Sequence, residues 1–296
     1  MNKSKMSYIS AMLIFGSIGL VSRNIRLSSG QIALARGVIG SIFLLLASKV
    51  LKERISWSKV KPNLLLLILS GAGIGFNWIL MFEAYKYTSI ANATLSYYFA
   101  PVFVVLLSPF FLKERLTVIK VGCILAALGG MFLVVGVGGG EGTNHVIGIS
   151  YGLAAAILYA SVIILNKYLK GLSGLETTLI QISAATIVLL PYILLTERIQ
   201  IFNIDIRSAV FLIIMGLIHT GLAYLLYFTG MKKIKSQTLA VLSYTDPISA
   251  IIMSGIFLGE ALTVIQIIGG VLILGAALFS EAYDRRQSLL PVPGKE

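Results

Sequence analysis

The chain has 296 residues, 57% of them hydrophobic and 12% charged, with a mean hydropathy of +0.92 and a net charge of +12. A soluble domain of this size needs more charge to cover its surface, so the composition excludes an ordinary water-soluble globule and fits a chain whose outside faces lipid. Lys and Arg sit in short blocks between apolar runs, which points to membrane topology and anionic headgroups rather than to nucleic acid.

In chain order, Lys3 and Lys5 precede an apolar run from Ser7 to Val21. The run imitates a leader, but no small-x-small cleavage pattern precedes Arg23, so it reads as the first membrane helix. A bilayer core about 30 Å thick asks for about 20 apolar residues per helix. Ten segments meet or approach this: 7–22, 32–50, 63–85, 91–111, 117–137, 147–167, 174–196, 208–230, 236–257 and 263–283. The fold class is therefore an all-α polytopic membrane protein with ten transmembrane helices. The stretch 285–296 is expected to be a disordered tail. Cys123, the single cysteine, lies within an apolar run and cannot form an internal disulfide.

Ten spans put both termini on one face. If that face is cytoplasmic, eighteen of the 24 basic residues lie inside, and only Arg23, Arg26, Lys86, Arg198 and Arg207 lie in outer loops. Arg36 falls inside a span. This bias places both termini in the cytoplasm.

Residues 80–136 match 226–282 at an offset of 146. The run Phe111-Leu112-Lys113-Glu114-Arg115-Leu116-Thr117-Val118-Ile119 meets Phe257-Leu258-Gly259-Glu260-Ala261-Leu262-Thr263-Val264-Ile265, and Tyr98, Pro101 and Gly129 meet Tyr244, Pro247 and Gly275. The front halves match more weakly, as with Ser7-Tyr8 and Ser150-Tyr151. The division is a first repeat over 1–143 and a second over 144–284. Five helices per repeat is an odd number, so the second copy is inverted in the membrane. Inverted repeats let two similar halves rock about a midplane site.

These residues carry a family resemblance. Gly16-Ser17, Ala35-Arg36 and the block from Ala84 to Gly129, with its echo around Pro247 and Glu260, resemble the EamA-type members of the drug/metabolite transporter superfamily. Cys123 stands where the pattern favours the small glycine seen at Gly269 in the second copy. The resemblance implies a secondary transporter of amino acids or related amphipathic metabolites, often exported, working by alternating access in a bacterial-type cell membrane. The solute and membrane lipids would be its partners, and the energy source is either facilitated diffusion or exchange with protons through Asp246, Glu83 or His219. Transport of an organic cation, or a receptor or scaffold that moves nothing, is the alternative.

Individual residues then divide into those with a structural reading and those with a functional one. Glu114 and Glu260 sit in short turns and read as helix-start groups, with Thr263 and Gln266 in a capping-box spacing and Thr117 capping likewise. Pro101 and Pro247 fall near the middle of helices four and nine, where each removes a backbone donor; they are either static kinks or hinges. Asp246, beside Pro247, is an acid near the midplane, costly unless paired, solvated or protonated. Its equivalent in the first repeat is Ala100, so the fold does not demand it. Arg36 and Glu83 lie at similar depth and are expected to pair with each other, to snorkel towards the outer surface, or to face a solute. His219 either bonds a neighbour or carries protons. Asn77, Trp78, Tyr97, Tyr98, Tyr224 and Tyr244 suit a pocket for an amphipathic metabolite, or for an organic cation by cation–π contact. The spacing Gly148–Gly152 allows close packing within one chain or between two copies. No HExxH, no paired catalytic aspartates, no nucleotide-binding glycine loop and no Cys/His cluster occurs, so neither catalysis, a cofactor nor a metal is expected.

Overall fold

A computed structural model describes residues 3–53, 55–113, 117–136, 143–201, 203–231, 234 and 242–288. Among them, seven helices are long and apolar enough to cross a bilayer and three further apolar helices are shorter. Numbered as spans, they are α1 (Lys3–Gly16, continued by Ile18–Ser22), α2 (Ser29–Val50), α3 (Leu64–Tyr87), α4 (Ile90–Tyr97 and Ala100–Phe111) and α5 (Val118–Gly136). The second half gives α6 (Thr143–Lys167), α7 (Gly174–Thr196), α8 (Ile206–Ile214, a π-helical stretch Met215–Leu222, then Ala223–Met231), α9 (Thr245–Leu258) and α10 (Val264–Ser288). All ten expected spans are present, although residues 236–241 of the ninth lie outside the described residues. The tail differs from expectation: Arg285 to Ser288 continue α10 as helix, and 289–296 lie outside the described residues.

The helices start and stop where the chemistry predicts. Ser28, Ser89 and Ser173 cap α2, α4 and α7, each accepting the backbone N–H three residues on. The capping box of α10 is formed, with Thr263 and Gln266 exchanging side-chain-to-backbone bonds of 3.0 and 3.2 Å. Thr117 accepts from Lys120 N at 3.3 Å, while Glu114 lies outside the described residues.

Packing shows two inverted repeats. Adding five to each helix number maps the contact pattern onto itself: α1 packs on α8 and α9 as α6 packs on α3 and α4, and α2 packs on α8 as α7 packs on α3. The pairs α5–α10, α2–α7 and α4–α9 map onto themselves, so they straddle the pseudo-twofold axis. Hydrogen bonds repeat the relation. Lys170 N donates to Asn63 Oδ1 (3.1 Å) in one half, and Arg26 N to Ser208 Oγ (3.0 Å) in the other. Ser56 N donates to Glu176 Oε1 (2.9 Å), and Gln200 N to Gln31 Oε1 (2.8 Å). The partners are 144 or 145 residues apart, not 146. That drift explains why the front halves match weakly along one fixed offset.

Loop contacts also sort the two faces. Ser28 meets Glu197, Arg23 meets Glu260, and Thr88 meets His145, so the connections α1–α2, α3–α4, α5–α6, α7–α8 and α9–α10 share one face. Asn63 meets Lys170 and Tyr168 meets Phe111 on the opposite face. That face also holds the start of α1, since Gly230 packs directly against Ser4 and Tyr8.

Glycine permits the closest crossings. A Cβ on Gly130 or Gly269 would stand 2.6 Å from the other's carbonyl oxygen, so α5 and α10 touch backbone to backbone. Gly148 and Gly152 are used inside the chain, against Thr88 in the α3–α4 connection and Ser96 near the end of the first half of α4. Large apolar side chains such as Phe132 and Ile256 point outward and stay exposed, as a lipid-facing surface requires.

Candidate functional site

The fourth and ninth spans are broken, not merely kinked. In α4 the helix stops at Tyr97, turns through Tyr98 and Phe99, and restarts at Ala100 with Pro101 in its first turn. In α9 it turns at Tyr244 and restarts at Thr245 with Pro247 in its first turn. This corrects the expectation of mid-helix prolines: each sits where its missing N–H is among the unpaired donors of a helix start. The breaks fall at repeat-equivalent residues, Tyr98 and Tyr244, on the two spans that face each other across the pseudo-twofold axis. Tyr98 Oη joins them by donating to Asp246 Oδ2 at 2.7 Å. Asp246 also lies in the first turn of a half-helix, where the dipole favours a carboxylate.

Around these breaks lies a cavity of about 630 Å³, within the usual range for a small-molecule site. Of the residues expected to face solute, Arg36, Asn77, Trp78, Tyr97, Tyr98, Tyr224, Tyr244 and Asp246 line it, as does Pro101. Pro247 is buried and behind the wall.

Two expected site residues stand elsewhere. Glu83 accepts an ion pair from Lys86 at 2.8 Å on its own helix, so it does not pair with Arg36. One turn of α3 puts Lys86 within reach, whereas Arg36 points into the protein. His219 is buried behind the lining, its Nε2 at 2.9 Å from Ser17 Oγ and its Nδ1 at 3.4 Å from Ile214 O. It ties the π-helical stretch of α8 to the break in α1, and its position is that of a bonded structural group.

Arg36 is held by neutral groups. Its Nε donates to Thr220 Oγ1 at 3.1 Å, and its guanidinium carbon lies 4.3 Å from the Trp78 ring and 5.5 Å from that of Phe82. Trp78 and Phe82 are four residues apart on α3 and so share a face. Stacking on aromatic faces offsets part of the cost of removing the cation from water. Asn77 donates to Ala155 O at 2.6 Å, fixing α3 to α6. Tyrosine rings form the remaining wall, with Tyr97 packed on Tyr159 at 5.4 Å and edge-on to Tyr98 at 6.0 Å.

Sequence reading missed Gln181, Tyr159 and Thr94 in this wall. Gln181 was legible: it stands 145 residues after Arg36, at the same place in the second α2-type helix. Its amide donates to Ser70 Oγ (2.7 Å) and Asn166 Oδ1 (2.6 Å).

Among the described residues, the lining of the cavity extends to one face. Its lining runs past Gln181 to Asn166, which is exposed, and to Leu172 and Gly174 at the α6–α7 connection. On the opposite face a polar network ties the connections together. Arg23 pairs with Glu260 at 2.8 Å and donates to Thr88 O at 3.1 Å, while Glu260 accepts from Ile90 N at 2.9 Å. Ser28 and Gln31 bond Glu197, and Gln31 bonds Arg198 O at 3.1 Å. Arg23, Glu260, Gln31 and Glu197 do not line the cavity. Glu260 is therefore more than a turn residue: it clasps α1, the start of α4 and the α9–α10 connection.

Comparison with known proteins agrees with the architecture. The model of the EamA-like transporter family matches residues 5–136 and 146–281. An uncharacterized transporter of Bacillus subtilis, YxxF, is 32% identical over 274 residues, covering 90% of this chain and 86% of that protein. A second from the same organism, YdfC, is 30% identical over 254 residues, covering 84% and 81%. A solved crystal structure aligns with a TM-score of 0.63 over 96% of this chain and 98% of its own, at 19% identity, which speaks to the fold.

Proposed function

The chain belongs to the EamA-like transporter family and is a multi-pass membrane transporter, and from that premise we propose that its cavity carries an amino acid or a related amphipathic zwitterion. One observation carries the reading. Arg36 and Asp246 line the same cavity, and among the described residues neither is in an ion pair. A solute with a carboxylate and an ammonium satisfies both, and the tyrosine and tryptophan walls take its apolar part. An organic cation would use Asp246 and the aromatic rings but would be repelled by Arg36.

Transport proceeds by alternating access, with the broken spans α4 and α9 as hinges at Pro101 and Pro247. The cavity opens on the face that the charge distribution assigns to the cytoplasm, so it loads from inside; this supports export. A proton coupled to transport would titrate Asp246, the carboxylate among the described lining residues. The test is a thermal-shift panel of amino acids, organic cations and sugars on purified protein, followed by counterflow in proteoliposomes. Stabilisation by amino acids, lost in Asp246→Asn, is the expected result. Stabilisation by sugars alone refutes the reading.

A further inference from the structure

The cavity wall contains a cation that uses one of its five N–H donors on a described residue. Arg36 donates through Nε to Thr220 Oγ1, and one face of its guanidinium rests on Trp78. Its two terminal nitrogens make no hydrogen bond to any described residue, and no carboxylate of a described residue lies within ion-pair distance. A guanidinium held at Nε and stacked on one face keeps its end-on edge free, with two N–H groups side by side. That edge matches the two oxygens of one carboxylate. We infer that Arg36 takes the solute's carboxylate end-on and that Thr220 is the positioning residue that aims it. This rests on the reading of the cavity as the solute site.

The placement of Thr220 follows from the π-helical stretch. The Thr220 hydroxyl donates to Met215 O at 3.2 Å, the carbonyl five residues back, which leaves its oxygen to accept from Arg36 Nε. Widened turns of this kind are rare and recur at functional sites, because they shift side chains off the regular helical register. Here consecutive residues serve different neighbours: His219 meets Ser17 on α1, and Thr220 meets Arg36 on α2. Tight packing fixes the stretch. A Cβ on Gly40 would stand 2.3 Å from Thr220 Cγ2, and one on Gly216 would stand 2.4 Å from Ile39 Cβ. Thr220 has no accessible surface and little room to turn.

The second repeat supplies the contrast. Gln181, equivalent to Arg36, spends its amide on Ser70 and Asn166. Asp246, the acid of the lining, belongs to that second repeat. The two charged groups thus come from different repeats and are not repeated, so the cavity has a fixed charge polarity although its scaffold is nearly twofold.

The experiment uses the full chain in proteoliposomes and the twenty L-amino acids, with the methyl ester and the decarboxylated amine of each one that binds. The acid is expected to bind at least about tenfold more tightly than its ester or its amine. Thr220→Val should raise KM for the acid about tenfold with the maximal rate within about twofold. Thr220→Ser should restore KM, and the melting temperature of each variant shows that it has folded. An ester or amine that binds wild type as well as the acid does overturns the inference; if Asp246→Asn then abolishes amine binding, the cavity remains a solute site, for cations. An unchanged KM in Thr220→Val overturns the positioning role. Absence of binding by every compound overturns both the inference and the function beneath it.

Discussion

Glu260→Gln tests the seal on the face away from the cavity mouth. Glutamine keeps the shape and still accepts from Ile90 N, so the substitution removes charge and little else. Two contributions disappear. The pair with Arg23 spans 2.8 Å between side chains 34% and 13% exposed, and pairs this open to solvent contribute about 0.2–1 kcal/mol. The carboxylate also faces the N-terminus of α4, a charge–dipole contact of about 0.3–1 kcal/mol. Together these give about 0.5–2 kcal/mol, or roughly a twofold to 30-fold shift in the population open on that face. A single cysteine at Thr94, which lines the cavity, reports the shift in a Cys123→Ser background. An impermeant maleimide should label it faster in Glu260→Gln from the sealed face, and more slowly from the face of the cavity mouth. Exchanging the charges, Arg23→Glu with Glu260→Arg, should recover part of the original ratio. Unchanged labelling from the sealed face would show that the apolar packing of Gly19 on Ile90 closes this face alone, and would refute the reasoning.

Other expectations follow from the same geometry. Asp246→Asn should abolish counterflow of the solute while leaving the melting temperature within a few degrees, because Asn can still accept from Tyr98. Gly269→Ala places a methyl 2.6 Å from the Gly130 carbonyl and should destabilise by about 1–3 kcal/mol, read as a lower melting temperature in detergent. Asp205 caps α8, accepting from Ser208 N (3.0 Å) and Ser208 Oγ (2.8 Å), and these bonds hold its carboxyl below the usual range. Its stabilising contribution is therefore complete above about pH 4 and is lost as pH falls through the lowered value, so the difference in melting temperature between wild type and Asp205→Ala should shrink in acid. A reporter fused to the C-terminus should be active only on the cytoplasmic side; activity outside would overturn the orientation drawn from the basic residues.

Much of the fold could be read from the residues because its causes are local or arithmetic. A bilayer demands runs of apolar residues of set length, so the ten spans are legible one at a time. The repeat is legible wherever one offset holds, from Leu80 to Gly136. It fades in the front halves, where the equivalent contacts of Asn63 and Ser208, or Ser56 and Gln200, are displaced by a residue or two. The helix breaks were half legible: Pro101 and Pro247 marked the places, but a proline alone does not say whether a helix bends or stops.

The sequence by itself determined the membrane class, the number of spans, the inversion and the unrepeated polar residues. It did so because hydropathy, charge and self-similarity belong to the chain and need no partner. Only the tertiary structure decided which of those polar residues share a cavity. Arg36, Glu83 and His219 look alike in a sequence, as isolated polar groups in apolar runs. Folding gives Glu83 a lysine one turn away, turns His219 towards Ser17 behind the wall, and leaves Arg36 with its end-on edge unbonded beside Asp246's cavity. Those outcomes depend on how helices rotate about their axes and which neighbours they meet, and the residues that set this are far apart in the chain.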